Sequence, residues 1–335
     1  MKNEGPFILE WVAHHLATGF DEIIVISNDC DDGSAELLDA LDASGYLTHL
    51  SQIVPENEAA QAAAAHKLEQ EFDLARKWVL WLDGDEFLNV HVGDGGIDAL
   101  ITALGDAEGI AINWRIFGTA GLNIWQGENI TERQTGCADR SYKPHQAVKT
   151  LFRYGENFTQ MDVHAPHAAP DRELKFHLLD TGGHQIAQRS FLYDTEGNPK
   201  YRARMRHVKG LHKLAQINHY ALRSRESFAL KSLRGDGTMT AAENARRSTE
   251  TTAVKFRHGK KFWRKYDLND CQDTSIHRYS TGTKRLMKEM LEQPAIRATY
   301  DNCYAQFAAN RQKLEEQLDI DLISAKRWEF LKALG

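Results

Sequence analysis

Cysteine is scarce in this chain. The four present, Cys30, Cys137, Cys271 and Cys303, are scattered with no Cys-x-x-Cys pair. That excludes a disulfide framework and reads as reduced thiols, with Cys30 the one nearest a candidate site. Long apolar runs are missing too, and nothing approaches the roughly 18 residues of a membrane span. The start carries Glu4 and Glu10 in place of the basic and apolar regions of a signal peptide. There is no surplus of basic charge: 41 Lys and Arg stand against 47 Asp and Glu, for a net charge of −6. This argues against a nucleic-acid partner held by bulk charge. His164, His167, His177 and His184 gather in one region, but no His-Glu-x-x-His or Cys/His ligand spacing accompanies them, so a dedicated zinc site is not expected. Internal repeats and low-complexity linkers are absent. What remains is a chain of 335 residues, 42% hydrophobic and 26% charged, with the composition of a soluble globular protein and an expected place in the cytoplasm.

The stretch that organises it is Trp78-Val-Leu-Trp-Leu-Asp83-Gly-Asp85-Glu86-Phe-Leu88. Five apolar residues, rich in aromatic and branched types, read as a buried strand that ends in acid. Alternate residues of an extended chain share a face, so Asp83 and Asp85 point the same way. Two adjacent carboxylates repel unless they share a cation, and a hard divalent ion so held keeps positions open for phosphate oxygens. The expectation is a metal-diphosphate site at the carboxyl end of a strand, where open α/β sheets bind ligands. The competing reading is a solvated acidic turn.

In chain order, a proline-initiated helix from Pro6 to Gly19 precedes a β-branched strand over residues 22–27. The turn Asn28-Asp-Cys-Asp-Asp32-Gly-Ser34 then leads into a helix to about Ser44. Strand, polar turn, helix is the arrangement in which backbone donors and short acids meet a nucleotide, although Asp32 and Ser34 are also good helix caps. A short strand over 47–54 and an alanine-rich helix over 58–76 lead to the acidic strand. This alternation predicts an α/β fold, a Rossmann-type mostly parallel sheet with helices on both faces. Further on come a helix over 97–104, strands over 109–117, 148–153 and 214–220, and a helix over 221–231. Lys200, Arg202, Arg204, Arg206, Lys209 and Lys213 form a basic cluster that is either a solvated face or an attractor for phosphate or an anionic acceptor. The C-terminal region is helical over 283–291 and 300–334 around Pro294. One domain is expected over 1–232, with a helical appendage over 233–335.

Four patches now carry a resemblance: Lys2-Asn3-Glu4 with Ile8–His15; Ile26–Ser34; Leu82–Phe87; and His219-Tyr220 with Arg223-Ser224, Phe228 and Lys231. Weaker matches are Trp114 with Phe117-Gly118, and Glu132-Arg133. In this order the chain resembles glycosyltransferase family 2-like proteins of the GT-A fold, in the branch related to glycosyltransferase family 92. The resemblance covers residues 2–231 and leaves 240–335 uncovered. It implies a hexosyltransferase-type enzyme that moves a sugar from a UDP- or GDP-linked donor to a hydroxyl of a glycan, lipid or small-molecule acceptor. It also implies Mn²⁺ or Mg²⁺ on the diphosphate. Asp85 is then the first metal ligand, Asp83 touches the ribose or the metal through water, and His219 is a third contributor that favours Mn²⁺. Asn3, Glu4, Asn28 and Asp32 match positions lining the nucleoside, and Arg223 and Lys231 are placed to hold phosphate.

An inverting reaction needs a carboxylate base, for which Glu132 and Asp162 are rivals. Ser27 stands where relatives often carry an acid, leaving Asp29 or Asp32 to recognise base or ribose. GT-A sheets normally begin with an apolar strand before the Asn-Glu turn, whereas Met1 abuts that turn. Either the true start lies upstream or the sheet lacks an edge beside the nucleotide. No membrane span is expected, and peripheral membrane association stays open. The alternatives are a nucleotidyltransferase, although the glycine-rich phosphate loop after the first strand is missing, and a catalytically impaired transferase-like interaction protein.

Overall fold

The computed structural model of this protein describes residues 1–155, 157–168, 177–187, 211–231 and 260–320, with isolated residues 237, 239, 240 and 242. It is an α/β protein with helices in its C-terminal region. The described chain forms two compact units: residues 1–60, 117–138 and 220–335, and residues 61–116 and 139–219. The domain boundary expected at 232 falls outside the described residues, as do five of the basic-cluster residues, Lys200 to Lys209.

In the first unit a 3₁₀ turn, Gly5–Phe7, leads into α1 (Ile8–Thr18). α1 stops at Gly19, whose φ of 98° is the left-handed conformation glycine adopts without strain. β1 (Ile24–Ser27), α2 (Ser34–Ala43) and β2 (Thr48–Ser51) follow, and β1 and β2 pair in parallel. That is the strand-turn-helix-strand order expected from the sequence. α1 is buried along almost its whole length, including Glu10, His14 and His15. The Glu10 carboxylate accepts the backbone N–H of Ile130 at 2.8 Å, and the N–H and hydroxyl of Thr131 at 2.9 and 2.8 Å. It thereby satisfies the orphan donors of the short helix α5 (Ile130–Arg133). Burial pushes the Glu10 carboxyl above its ordinary value against those hydrogen bonds.

The second unit holds α3 (Ala60–Glu71), β3 (Trp78–Leu80), β4 (Glu86–Val90), α4 (Ile97–Leu104) and β5 (Gly109–Ile116). The two-residue β6 (Gly136–Cys137) belongs to the first unit. β7 (Val148–Arg153), β8 (Phe158–Gln160), β9 (His167–Ala168), β10 (Leu178–Asp180) and β11 (Ala215–His219) complete the second. Its six-stranded sheet has the order β3-β7-β5-β11-β4, with β10 also on β5.

The expected mostly parallel sheet is corrected here, because this sheet is mixed. β5 is parallel to β10 and β11, while β3-β7, β7-β5 and β11-β4 are antiparallel. Parallel pairing of sequential strands needs a crossover, usually helical. No helix intervenes between β3 and β4, and the only helical segments between β5 and β7 are the four-residue α5 and the 3₁₀ turn Lys143–Gln146. The apolar run 78–82 also differs from expectation. Only three of its residues form a strand, and that strand is half-buried, whereas Glu86–Val90 is a fully buried strand. β3 and β4 stand at opposite ends of the strand order, so residues 81–85 carry the chain from one edge of the sheet to the other.

Strand register separates two polar sets. Lys149 pairs with Ile112, Ile217 with Trp114, and His219 with both Ile116 and Glu86, which puts Lys149, Trp114, His219 and Glu86 on one face. Asn113, Arg115, Gln216, Asn218 and Asn89 share the other, all buried. There Asn113 donates to the His145 carbonyl at 2.9 Å, and Ile116 N–H donates to His145 Nε2 at 3.1 Å. His212 Nε2 donates to the Trp114 carbonyl at 2.9 Å.

Among the remaining helices, α6 (Arg225–Lys231) is shorter than the span expected over 221–231. α7 (Lys260–Tyr266) leads to β12 (Cys271–Gln272), which pairs with β6. In the first unit α8 (Ser280–Glu292) packs on α1, and α9 (Pro294–Ile320) packs on α2. Pro294 therefore opens the last helix, and the stretch to Leu334 lies outside the described residues beyond 320.

Burial, joined by the nearby Arg115, holds His145 down at about 4, and burial joined by His145 holds His212 down at about 3. Both rings stay neutral in the fold, whereas in the unfolded chain they take up protons near their ordinary value of about 6.5. Stability is therefore fully present above that value and falls as pH drops toward 4. Each ring contributes a slope of up to about 1.4 kcal/mol per pH unit. Urea unfolding at pH values through this window should show the fall. His212→Asn, a residue type that tolerates the φ of 64° found there, should flatten it.

Candidate functional site

The residues singled out by sequence fall into two sets, one in each unit. In the second unit the acidic crossing segment is gathered around a buried lysine. Lys149 Nζ lies 3.2 Å from Asp83 Oδ2 and 3.2 Å from Glu86 Oε2, and both its side chain and that of Glu86 are 0% exposed. Glu86 Oε2 also accepts Asp83 N–H at 2.9 Å, and Asp83 Oδ1 accepts Gln61 Nε2 at 2.8 Å. Burial works against the charge of Lys149, but Asp83 and Glu86 outweigh it and raise its pKa. Burial drives Glu86 up to about 8 against the pull of Lys149, with Asp83 and Asp85 adding to the rise.

Asp85 turns the other way. Its Oδ1 is 3.7 Å from His219 Nε2, and both side chains are nearly buried. The His219 ring packs against Trp114 with centroids 4.2 Å apart. His164 adjoins this cluster, 5.9 Å from the Trp114 ring, with Nδ1 donating to the Val148 carbonyl at 2.9 Å. Burial lowers its pKa, with Lys149 acting in the same direction and Asp83 and Asp162 opposing. Asp162 Oδ1 accepts the N–H of Val163 at 2.6 Å.

Among the described residues no group of three or more His, Cys, Asp or Glu is arranged to hold a metal. The donor set that fits a divalent ion here is the pair Asp85 and His219, an oxygen and an imidazole nitrogen, a combination that suits Mn²⁺. Two protein ligands are compatible with an ion whose other positions go to phosphate oxygens and water.

In the first unit, Asn3 and Asp31 exchange hydrogen bonds: Asn3 Nδ2 donates to Asp31 Oδ1 at 2.5 Å, and Asp31 N–H donates to Asn3 Oδ1 at 3.0 Å. Asp32 Oδ1 accepts Ser34 N–H at 3.0 Å and Oδ2 accepts Gly5 N–H at 3.1 Å, so this carboxylate fastens the start of α2 to the 3₁₀ turn. Glu4 pairs with Arg223, whose guanidinium also lies 3.9 Å above the Phe7 ring. Arg223 holds a φ of 59° and Asn3 one of 52°, conformations an arginine seldom adopts and an asparagine adopts more readily. Asn28 Nδ2 donates to Asp29 at 3.0 Å, and Lys231 Nζ donates to the Ala221 carbonyl at 3.3 Å. Glu132 lies 2.8 Å from Lys284. Although partial burial opposes it, hydrogen bonding to Lys284 and Ser280 holds the Glu132 carboxyl below its ordinary value. Ser27 Oγ bonds His49 Nε2 at 2.8 Å, and His49 Nδ1 bonds Asp39 at 2.6 Å. The acid that the sequence lacks at position 27 is thereby present at one remove.

The structure therefore brings Asp83, Asp85 and His219 into one cluster with Asp162 nearby, and brings Glu4 to Arg223. Sequence reasoning missed Lys149 and Gln61, and it set His164 aside with the other histidines of its region. The signal for Lys149 was weak, a lysine within a strand that also carries Thr150 and Arg153.

No family model matches the chain. Its distant relatives among curated proteins are glycosyltransferases. It is 30% identical over 91 residues to a glycosyltransferase family 92 protein of Oryza sativa subsp. japonica, which is 27% of this chain and 15% of the relative. A glycosyltransferase family 92 protein of Ricinus communis matches at 25% over 135 residues, 39% of this chain and 24% of the relative. A further match to a Ricinus communis protein of the same name is 24% identical over 158 residues. The chain spans about a quarter or less of the length of these relatives. The resemblance to the family 92 branch is thus shared by named glycosyltransferases, over part of the chain. Among the described residues no helix is long and apolar enough to cross a membrane.

Lys149→Met removes the one cation from between Asp83 and Glu86. It should cost about 3–5 kcal/mol in urea unfolding, the range for breaking a buried pair from one side. Lys149→Met combined with Glu86→Gln should recover part of that loss, a coupling read as a double-mutant cycle.

Proposed function

We propose that this chain is a metal-dependent glycosyltransferase of GT-A type. It takes a UDP- or GDP-linked sugar as donor and a glycan, lipid or small-molecule hydroxyl as acceptor, with inversion. The observation that carries this reading is the meeting of Asp85 with His219 beside Asp83, on an acidic segment whose other charges are held by Lys149. Asp85 and His219 would hold Mn²⁺ or Mg²⁺. When bound, such an ion supplies Lewis-acid stabilisation of the diphosphate leaving group. Asp83, fixed by Lys149 and Gln61, is oriented for a ribose hydroxyl or for a water on the ion. Trp114 keeps the His219 imidazole in one plane by packing against it.

Of the two candidate bases, Asp162 has the stronger support, because it belongs to the same unit as the acidic cluster and acts on the same histidine, His164. Glu132 is engaged by Lys284, which opposes its taking up a proton. Nucleoside and phosphate contacts from Asn3, Glu4, Asn28, Asp32, Arg223 and Lys231 are the remaining part of the proposal. There Glu4 pairs with Arg223, and Lys231 Nζ donates to the Ala221 carbonyl.

Calorimetry with UDP and GDP, with and without Mn²⁺, tests the reading. One nucleotide should bind only when the ion is present, and equal binding without metal, or none for either nucleotide, would overturn it. Asp85→Ala should lower metal-assisted turnover by about 100-fold or more, consistent with the several kcal/mol an ion supplies to such a transition state. Circular dichroism should show the fold retained.

A further inference from the structure

Cys137 and Cys271 are far apart in sequence and directly opposite in space. β6 and β12 are antiparallel with Cys271 paired to Cys137 and Gln272 to Gly136. The ribbon continues with Asp273 N–H donating to the Thr135 carbonyl at 2.9 Å. Hydrogen-bonded pairs alternate along an antiparallel ribbon, so Cys271 and Cys137 form the next such pair, with Cα atoms about 5.5 Å apart and side chains on one face. That distance lies in the range that a disulfide spans, while the Cβ atoms of such a pair start somewhat farther apart than a relaxed bridge prefers. Neither thiol is in a disulfide in this structure; Cys137 is buried and Cys271 is partly exposed.

We propose that Cys137 and Cys271 form a reversible, redox-sensitive cross-strand disulfide. The partly exposed Cys271 reacts first. Its thiolate attacks a small disulfide such as glutathione disulfide, breaking that S–S bond, forming a mixed disulfide and releasing one glutathione thiolate. The Cys137 thiolate then attacks the Cys271 sulfur and releases the second. The two protein thiols are oxidised, one glutathione disulfide is reduced to two glutathiones, and the two thiol protons pass to them. The strain of closing a hydrogen-bonded pair makes the bridge easy to reduce.

The bridge has a defined mechanical target. The segment entering β12 holds the turn after Phe117: Asp267 Oδ1 accepts Thr119 N–H at 2.8 Å, and Asn269 Oδ1 accepts Ala120 N–H at 3.0 Å. Asn269 lies so close that a Cβ at either Gly118 or Gly136 would come within 2.5 Å of its Oδ1. Oxidation ties the end of this segment to β6 and so fastens the turn.

Native protein incubated with millimolar glutathione disulfide at mildly alkaline pH should lose two of its four thiols, and peptide mapping should find Cys137 linked to Cys271. Amide exchange at Thr119 and Ala120 should slow by about tenfold in the oxidised form and recover with dithiothreitol. Cys271→Ser should give no link and no slowing. Cys137→Ser should stop at a glutathione adduct on Cys271, and should that variant fail to fold, Cys271→Ser decides alone. A Cys30–Cys303 link, glutathione adducts without a cross-link, or no loss of thiol in the native state would each overturn the proposal.

Discussion

A buried ammonium sets the terms for the second unit. Lys149, wholly removed from solvent, sits between Asp83 and Glu86 at equal distance, and neither the lysine nor Glu86 would be tolerable there alone. Asp85 is the carboxylate that faces His219. An internal cation thereby holds Asp83 and Glu86 of the crossing segment, while Asp85 meets the imidazole of His219.

The first unit solves the same problem with hydrogen bonds and pairs. Glu10 is surrounded by donors from α5, Asp32 by donors from two turns, and Glu4 by the guanidinium of Arg223. Ser27, His49 and Asp39 form a chain from the end of β1 through β2 to α2. Residues that look in sequence like ligand contacts are here also what holds the turns in shape. Substitution at Asp32 or Glu4 therefore changes the fold along with any binding.

Much of the local structure was legible because its determinants are local. Pro6 and Gly19 mark the first helix, branched residues mark β1, and alternation marks β5. Strand direction was not, because it depends on which segments meet: Val148–Arg153 reads the same whether it runs with or against β5, and it runs against. The acidic segment was visible as chemistry but not as geometry. Its neighbours Lys149, His164 and His219 come from strands and loops distant in sequence, and a strand lysine ordinarily reads as solvated. The fully buried β4 was hidden for a related reason, since Glu86 and Asn89 disguise a core strand as the start of a loop.

The pairing of β11 has a consequence for how this chain tolerates change. Its successive residues Asn218 and His219 belong to opposite faces, the first among the amides around Arg115 and the second beside the acids. A slip of one residue along β4 would exchange them, removing the imidazole from Asp85 and thrusting it into the amide layer while leaving composition and apolar content untouched. Insertions and deletions near residue 215 are therefore a sharper hazard to the chemistry than most substitutions. The alignment of one short strand is a specification as strict as the identity of the side chains it carries.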